Sequence, residues 1–206
     1  MIKKFLIIAL VPSATISETN GLSFGAGYSR QPTAAFESLS SEFFGDATQT
    51  TSISPFENSL KSKDLTANQT IDYRFEIPGF RLSYDTSLFE YLDKTALALE
   101  LNRIRFPKGI GVFTEPGHMS TLSFGVDFQK TLIEITPNIS FGAGGNVIHT
   151  RANYKSPLLD INSSYDDTAA YIFAKLDKLF GLANTNVSAN IYDSRDIEIY
   201  VSFSAN

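Results

Sequence analysis

From residue 21 onward the apolar side chains recur at every second position, the period of a strand with two unlike faces. Leu22, Phe24, Ala26 and Tyr28 alternate with Ser23, Gly25, Gly27 and Ser29. Leu122, Phe124, Val126 and Phe128 alternate with Ser123, Gly125, Asp127 and Gln129, and Ile139, Phe141 and Ala143 with Ser140, Gly142 and Gly144. Near the end of the chain Val187, Ala189 and Ile191, then Ile197, Ile199, Val201 and Phe203, keep the same beat. Residues 22–27 (LSFGAG), 122–126 (LSFGV) and 139–144 (ISFGAG) repeat one strand chemistry, with large apolar residues on one face and Gly or Ser on the other. Small residues facing inward suit a narrow lumen crowded by opposing side chains. A soluble sandwich alternates as well, so the count and spacing of strands must separate the two.

The pattern predicts strands near 21–30, 69–86, 95–106, 119–129, 132–148, 168–177, 185–193 and 196–204. Eight is an even number, as a single-chain bacterial outer-membrane barrel with both ends in the periplasm requires. Long or polar connections at 31–68, 107–118 and 149–167, with a tight turn at 193–196, fall on one side. Short ones at 87–94, 130–131 and 178–184 fall on the other, the asymmetry of long outer loops and short periplasmic turns. Three places stay open. At Pro78-Gly79 the apolar phase shifts from Ile71, Tyr73, Phe75 and Ile77 to Phe80, Leu82 and Tyr84, read as a β-bulge, with a hairpin as the alternative. Residues 171–180 also fit a helix, with Ile172, Phe173, Leu176, Leu179 and Phe180 on one face. Pro137, inside the fifth predicted strand, needs a bulge or a free edge.

Residues 1–17 read as a secretory signal: Lys3 and Lys4, an apolar run over 5–11, then Pro12 and the small residues Ser13, Ala14 and Ser17. Export across the inner membrane of a Gram-negative bacterium is the expectation, with residues 18–206 as the mature domain. No later run is long and apolar enough for a spanning helix, which leaves a closed barrel as the membrane-spanning structure still open. The chain has no Cys and no Trp but 17 Phe and 9 Tyr among 206 residues, which excludes disulfides, thiolate metal sites and thiol catalysis. Its net charge of −5 supplies no basic field for nucleic acid.

With these strands, the chain resembles the small eight-stranded outer-membrane β-barrels, the superfamily of opacity and adhesin-type proteins and of the membrane domains of major surface proteins. The resemblance is architectural. It implies an all-β fold, an eight-stranded antiparallel up-and-down transmembrane β-barrel. Its best single element is the C-terminal strand with Ile197, Ile199, Tyr200, Val201 and Phe203, similar to the terminal signal read by the barrel assembly machinery. Ser204, Ala205 and Asn206 follow Phe203, whereas the family usually stops at the aromatic.

In such a barrel Asp72, Arg74, Glu76, Glu100, Asp127, Glu134 and Glu198 lie on the polar faces and are expected to form a charged network that fills the lumen. Acids outnumber bases in that set, so Arg81, Arg103 or Arg105, water or protons must balance it. His118 and Ser120, two apart on one strand face, are the minimum for a base and a nucleophile. They are similar to the His-x-Ser of the outer-membrane lipid A 3-O-deacylase family, which implies His118 as base and Ser120 as nucleophile. The family's Glu has no counterpart here, because Glu134 starts another strand and Glu115 sits in a loop, and the Asn after the family's Ser is Thr121. His149 lacks partners at ligand spacing, so no metal and no cofactor are expected.

The segment 31–68 is the long surface loop. Phe36, Phe43, Phe44 and Phe56 offer contacts for an unknown surface partner, or residues 36–44 form a short helix over the barrel mouth. Arg30, Arg103, Arg105, Lys108 and Arg151 are expected at the outer rim, where outer-membrane lipids and lipopolysaccharide phosphates would accept them. The sequence thus points to a non-enzymatic outer-membrane protein with a structural or surface-interaction role. A narrow pore or carrier, a lipid A deacylase and a soluble exported lipocalin-like binding barrel are the alternatives.

Overall fold

The computed structural model describes residues 21–205 apart from 33, 36–37, 40–49, 55–58, 64–67, 73, 87–88, 90, 109–114 and 194–195, with backbone alone for 50–54, 59–63 and 68–72. The signal segment 1–17, Phe36, Phe43, Phe44 and Phe56 lie outside the described residues. The strands are β1 Gly21–Tyr28, β2 Thr50–Ser54, β3 Ser59–Lys63, β4 Asn68–Asp72, β5 Arg74–Thr86, β6 Lys94–Phe106, β7 Gly117–Thr136, β8 Ile139–Lys155, β9 Asp160–Asp177, β10 Thr185–Tyr192 and β11 Ile197–Ala205. Eight of them close a barrel in the order β1-β11-β10-β9-β8-β7-β6-β5, every neighbour antiparallel. The remaining three form an antiparallel sheet, β2-β3-β4. The seam is made by β1, which pairs with both β5 and β11, and there Phe24 stacks on Phe203, its direct partner, with ring centroids 6.2 Å apart.

Alternation places the faces. On the outside lie Leu22, Phe24, Phe80, Tyr84, Leu97, Leu99, Leu101, Leu122, Phe124, Val147, Ile172, Ile191, Ile199 and Phe203, all exposed. Inside at the same levels are Ser23, Ser83, Glu100, Ser123, Asp127, Asn146, Asn190 and Glu198, all buried. An apolar exterior around a polar interior is the reverse of a water-soluble barrel and fits hydrocarbon outside. Farther toward the outer end of β6–β9 the chemistry swaps without a change of parity. Ile104, Phe106, Met119, Ala152 and Tyr154 become the buried inner face, and Arg103, Arg105, His118, Ser120, Arg151, Asn153 and Lys155 become the outer one.

Two connections differ from the expectation, and one open alternative is decided. The β7–β8 turn lies at 137–138, not 130–131, and Pro137 sits in it, where its missing N–H costs no ladder bond. The segment 149–167 is mostly hairpin, since β8 runs to Lys155 and β9 starts at Asp160. Residues 171–177 are strand, because pairing with β8 and β10 overrides the helical spacing, and only Leu179–Gly181 forms a short 3-10 turn.

Pro78-Gly79 is a bulge region rather than a hairpin, but with two extra residues instead of one. Phe75 pairs with Ile104 and Phe80 with Leu101, so five steps on β5 match three on β6. Two insertions restore the parity that one would reverse. Phe75 therefore packs against the upper inner cluster while Arg74 and Glu76 are exposed on the outer face. This corrects the expectation that Arg74 and Glu76 face the lumen. Glu134 is also outside it, because β7 continues past the barrel's lower rim and its last residues are solvent-exposed. Asp72 ends β4, outside the barrel, where the backbone alone is described.

Candidate functional site

The lumen is filled from neighbouring strands by pairing large residues with none. Gly142 and Gly144 of β8 stand directly opposite Phe173 and Tyr171 of β9, and a Cβ at either glycine would run into the ring beside it. The space they leave lets Tyr171 reach across to β7. Its hydroxyl donates to Asp127 Oδ1 at 2.5 Å, while Gln129 Nε2 donates to Asp127 Oδ2 at 3.1 Å and to the Tyr171 oxygen at 3.0 Å. Arg81 of β5 closes this group with Nη2 at 3.3 Å from Asp127 Oδ2, and its guanidinium lies over the Tyr200 ring.

Two further carboxylates lie above. Glu100 accepts hydrogen bonds from the Ser29 hydroxyl and from Asn102 Nδ2, the latter at 2.8 Å. Glu198 accepts from the Tyr192 hydroxyl at 2.5 Å and from the Arg30 backbone N–H at 3.3 Å. Arg30 pairs with Asp167 and stacks over Tyr192, its guanidinium carbon 4.3 Å from the ring centroid. Buried charge of this kind requires such partners. Of the expected network, Glu100, Asp127 and Glu198 meet in the lumen. Arg81 and Arg30 are the cations beside them, whereas Arg103 and Arg105 point outward. Arg30 therefore belongs inside rather than at the rim where the sequence set it. Tyr171 and Tyr192 were missed, though their parity opposite outward Ile172 and Ile191 marks them as inward.

The segment that follows β1 closes the outer mouth. Arg30, Gln31, Pro32, Ala35 and Leu39 are buried, and Gln31, Pro32, Ala34, Ala35, Ser38 and Leu39 have helical backbone. Gln31 Oε1 accepts from Thr150 at 3.1 Å and from Tyr165 at 3.2 Å, and Ser38 bonds Ser163 at 2.5 Å. Ala35 and Leu39 pack on Ile104, Phe106, Met119 and Tyr154, an apolar lid over the charged network. Below that network a polar recess of about 40 Å³, with Arg81, Lys94, Asp127 and Asn190 in its wall, has room for a few waters.

The outer face carries the His118–Ser120 pair. The β5 bulge brings Glu76 to it: His118 Nδ1 lies 3.1 Å from Glu76 Oε2, and Arg103 Nε is 2.9 Å from the same oxygen. An acid beside His118 was missed because Glu76 was assigned to the lumen. Ser120 is the cross-strand neighbour of Arg103 on that face. His149 faces outward too, 2.8 Å from Asp166 Oδ1 on β9. In the C-terminal strand Ile197, Ile199, Val201 and Phe203 face outward, and Tyr200 faces the lumen.

No family model matches the chain, and no curated protein matches it. Among solved structures it is similar to Ail, the attachment invasion locus protein of Yersinia pestis, whose structure is a complex with the heparin analogue sucrose octasulfate. That similarity covers 90% of this chain and 94% of Ail at 14% identity and a TM-score of 0.37. The eight-stranded barrel stands on the chain's own strand pairing.

Proposed function

We propose that the chain is an integral outer-membrane barrel without enzymatic activity, a rigid anchor that presents its outer hairpins and the part of the 31–68 segment beyond the buried plug to a surface partner. The observation that carries this reading is the swap of inside and outside chemistry along β6–β9. A plugged, hydrogen-bonded lumen supports a structural role over a pore. The first test is to express the chain with its leader, isolate outer membranes, and compare gel mobility before and after boiling. A heat-dependent band shift in that fraction is expected, and a periplasmic protein without a shift would overturn the reading. In planar bilayers the purified barrel should show no steady conductance, and steady channels would replace anchor by pore.

The Glu76–His118 contact favours one second reading, ester hydrolysis of an outer-leaflet lipid. His118 would serve as base, Glu76 as the acid that orients it and Ser120 as nucleophile. A Ser120→Ala change that leaves the cell's lipid A mass spectrum unaltered sinks it.

A further inference from the structure

The outer face of the upper barrel holds cations where a sheet ordinarily avoids them. Arg74, Arg105, His118 and Lys155 are direct partners in register across β5, β6, β7 and β8, one unbroken row. All four point outward, and at the usual strand spacing the row spans about 14 Å. Like charges directly opposite each other destabilise a sheet. The available acids do not cancel them. Glu76 serves Arg103 and His118, and Asp160 lies 3.6 Å from Lys155, whereas Arg74, Arg105 and Arg151 have no carboxylate partner among the described residues. This happens in a chain whose net charge is −5.

The row also has a fixed position relative to the apolar band. Phe80, Leu101 and Leu122 form the last wholly apolar row across β5–β7, Arg151 pairs with Leu122, and Arg103 stands one outward position above Leu101, opposite the exposed Ile77. Arg74, Arg105 and Lys155 lie one outward position higher again. On the membrane reading, the positions just above the apolar band face the headgroup layer that borders the hydrocarbon. Arginine forks and a lysine ammonium are donors suited to phosphate oxygens, without any acceptor of their own.

We propose that Arg74, Arg105 and Lys155, with Arg103 and Arg151 beneath them, form a binding site for the phosphorylated headgroups of outer-leaflet glycolipid. The inference rests on the membrane-barrel reading and adds to it a ligand class, a face and an orientation: the β5–β8 side of the barrel carries bound lipid. The anion compensates the repulsion within the row, so the lipid and the sheet stabilise each other.

The test is a titration of the detergent-solubilised barrel with diphosphoryl lipid A, followed by native mass spectrometry. The parent is compared with the triple variant Arg74→Gln, Arg105→Gln, Lys155→Gln. The three side chains are exposed, and the heat-dependent band shift checks that the variant is folded. Each cation facing an anionic lipid surface contributes about fivefold to binding, so the variant should bind roughly a hundredfold more weakly. Lys130→Gln, at the opposite rim, should bind as the parent does. A folded triple variant that binds lipid A as tightly as the parent overturns the proposal. So does complete competition by inorganic phosphate at equal concentration, which would make the site one for free phosphate, or a loss confined to dextran sulfate, which would make it one for a soluble polyanion. Absence of the band shift in the parent fails the membrane reading itself, and the proposal falls with it.

Discussion

The lower and upper halves of β6–β9 follow one alternation and use it in opposite senses. Below, Leu97, Leu99, Leu101, Leu122 and Phe124 are outside and Glu100, Ser123, Asp127 and Asn146 inside. Above, Arg103, Arg105, Arg151 and Lys155 are outside and Ile104, Phe106, Met119 and Tyr154 inside. The backbone geometry is continuous across the boundary, so the difference is one of solvent. Where hydrocarbon surrounds the barrel, the inside is the only place for polar groups, and they must satisfy one another. Where water surrounds it, the inside becomes an ordinary apolar core, completed by Ala35 and Leu39 from the plug. On the proposed outer-membrane reading, the barrel meets hydrocarbon along its lower half and headgroups and water along its upper half.

The largest expected effect strikes the upper core. Phe106 is fully buried and packs edge-on against Tyr154 at 6.1 Å. Phe106→Ala should cost about 3–5 kcal/mol, read as a lower urea midpoint of the band shift in vesicles. The plug rests on that ring, so its backbone amides should exchange hydrogen faster in the variant.

A charge on the outer face distinguishes the halves most directly. Phe124→Arg, in the apolar band, should cost about 2–4 kcal/mol. Ser164→Arg, on the outer face at the band's upper edge in register with Arg151 and Leu122, should cost under about 1 kcal/mol, mostly repulsion from Arg151 opposite. Equal costs would mean that the two halves face the same medium.

Within the lumen, Gly144→Ala tests the space left for Tyr171. A methyl group there meets the Tyr171 ring and the Phe128 carbonyl, and overpacking of this kind costs about 1–3 kcal/mol. A smaller loss is expected in the double variant Gly144→Ala, Tyr171→Phe only if the hydroxyl, and not the ring, is the obstacle.

The smallest effect belongs to the lower rim. Asp93, in the β5–β6 turn, is partly buried, which opposes its ionisation, but hydrogen bonds from Lys130 and from the Thr131 N–H prevail and hold its carboxyl below the usual range. A carboxyl depressed in the folded state contributes stability above its unfolded pKa, and that stability is lost as pH falls through the folded value. For so exposed a pair the contribution is under about 1 kcal/mol. Asp93→Asn should therefore be slightly less stable than the parent at neutral pH and converge with it in strong acid, as denaturant midpoints across pH would record.

Much of this was legible in the chain. The outward rows, the inward Glu100, Asp127 and Glu198 and the outward His118 and Ser120 follow from parity, a property each strand carries by itself, and the even number of barrel strands follows from counting the alternating segments. Parity fails where the count of residues between pairings changes. Two insertions in β5 look like one in the apolar pattern, and the difference turned Arg74 and Glu76 outward and set Glu76 beside His118. The hairpin at 149–167 was hidden for a related reason: above the membrane its outer face is as polar as a loop, and only its inner residues Ala152, Tyr154 and Ile161 keep the beat.

By itself the sequence determined the strand faces and the chemistry each face would meet, because alternation at period two is local and the two solvents demand opposite residues. The tertiary structure decided the register of β5 on β6, the entry of Arg30 and Gln31 into the mouth, and the alignment of Arg74, Arg105, His118 and Lys155 in one row. Those depend on how many residues each strand spends between its hydrogen-bonded partners, and on which distant segment fills the space that the inward side chains leave.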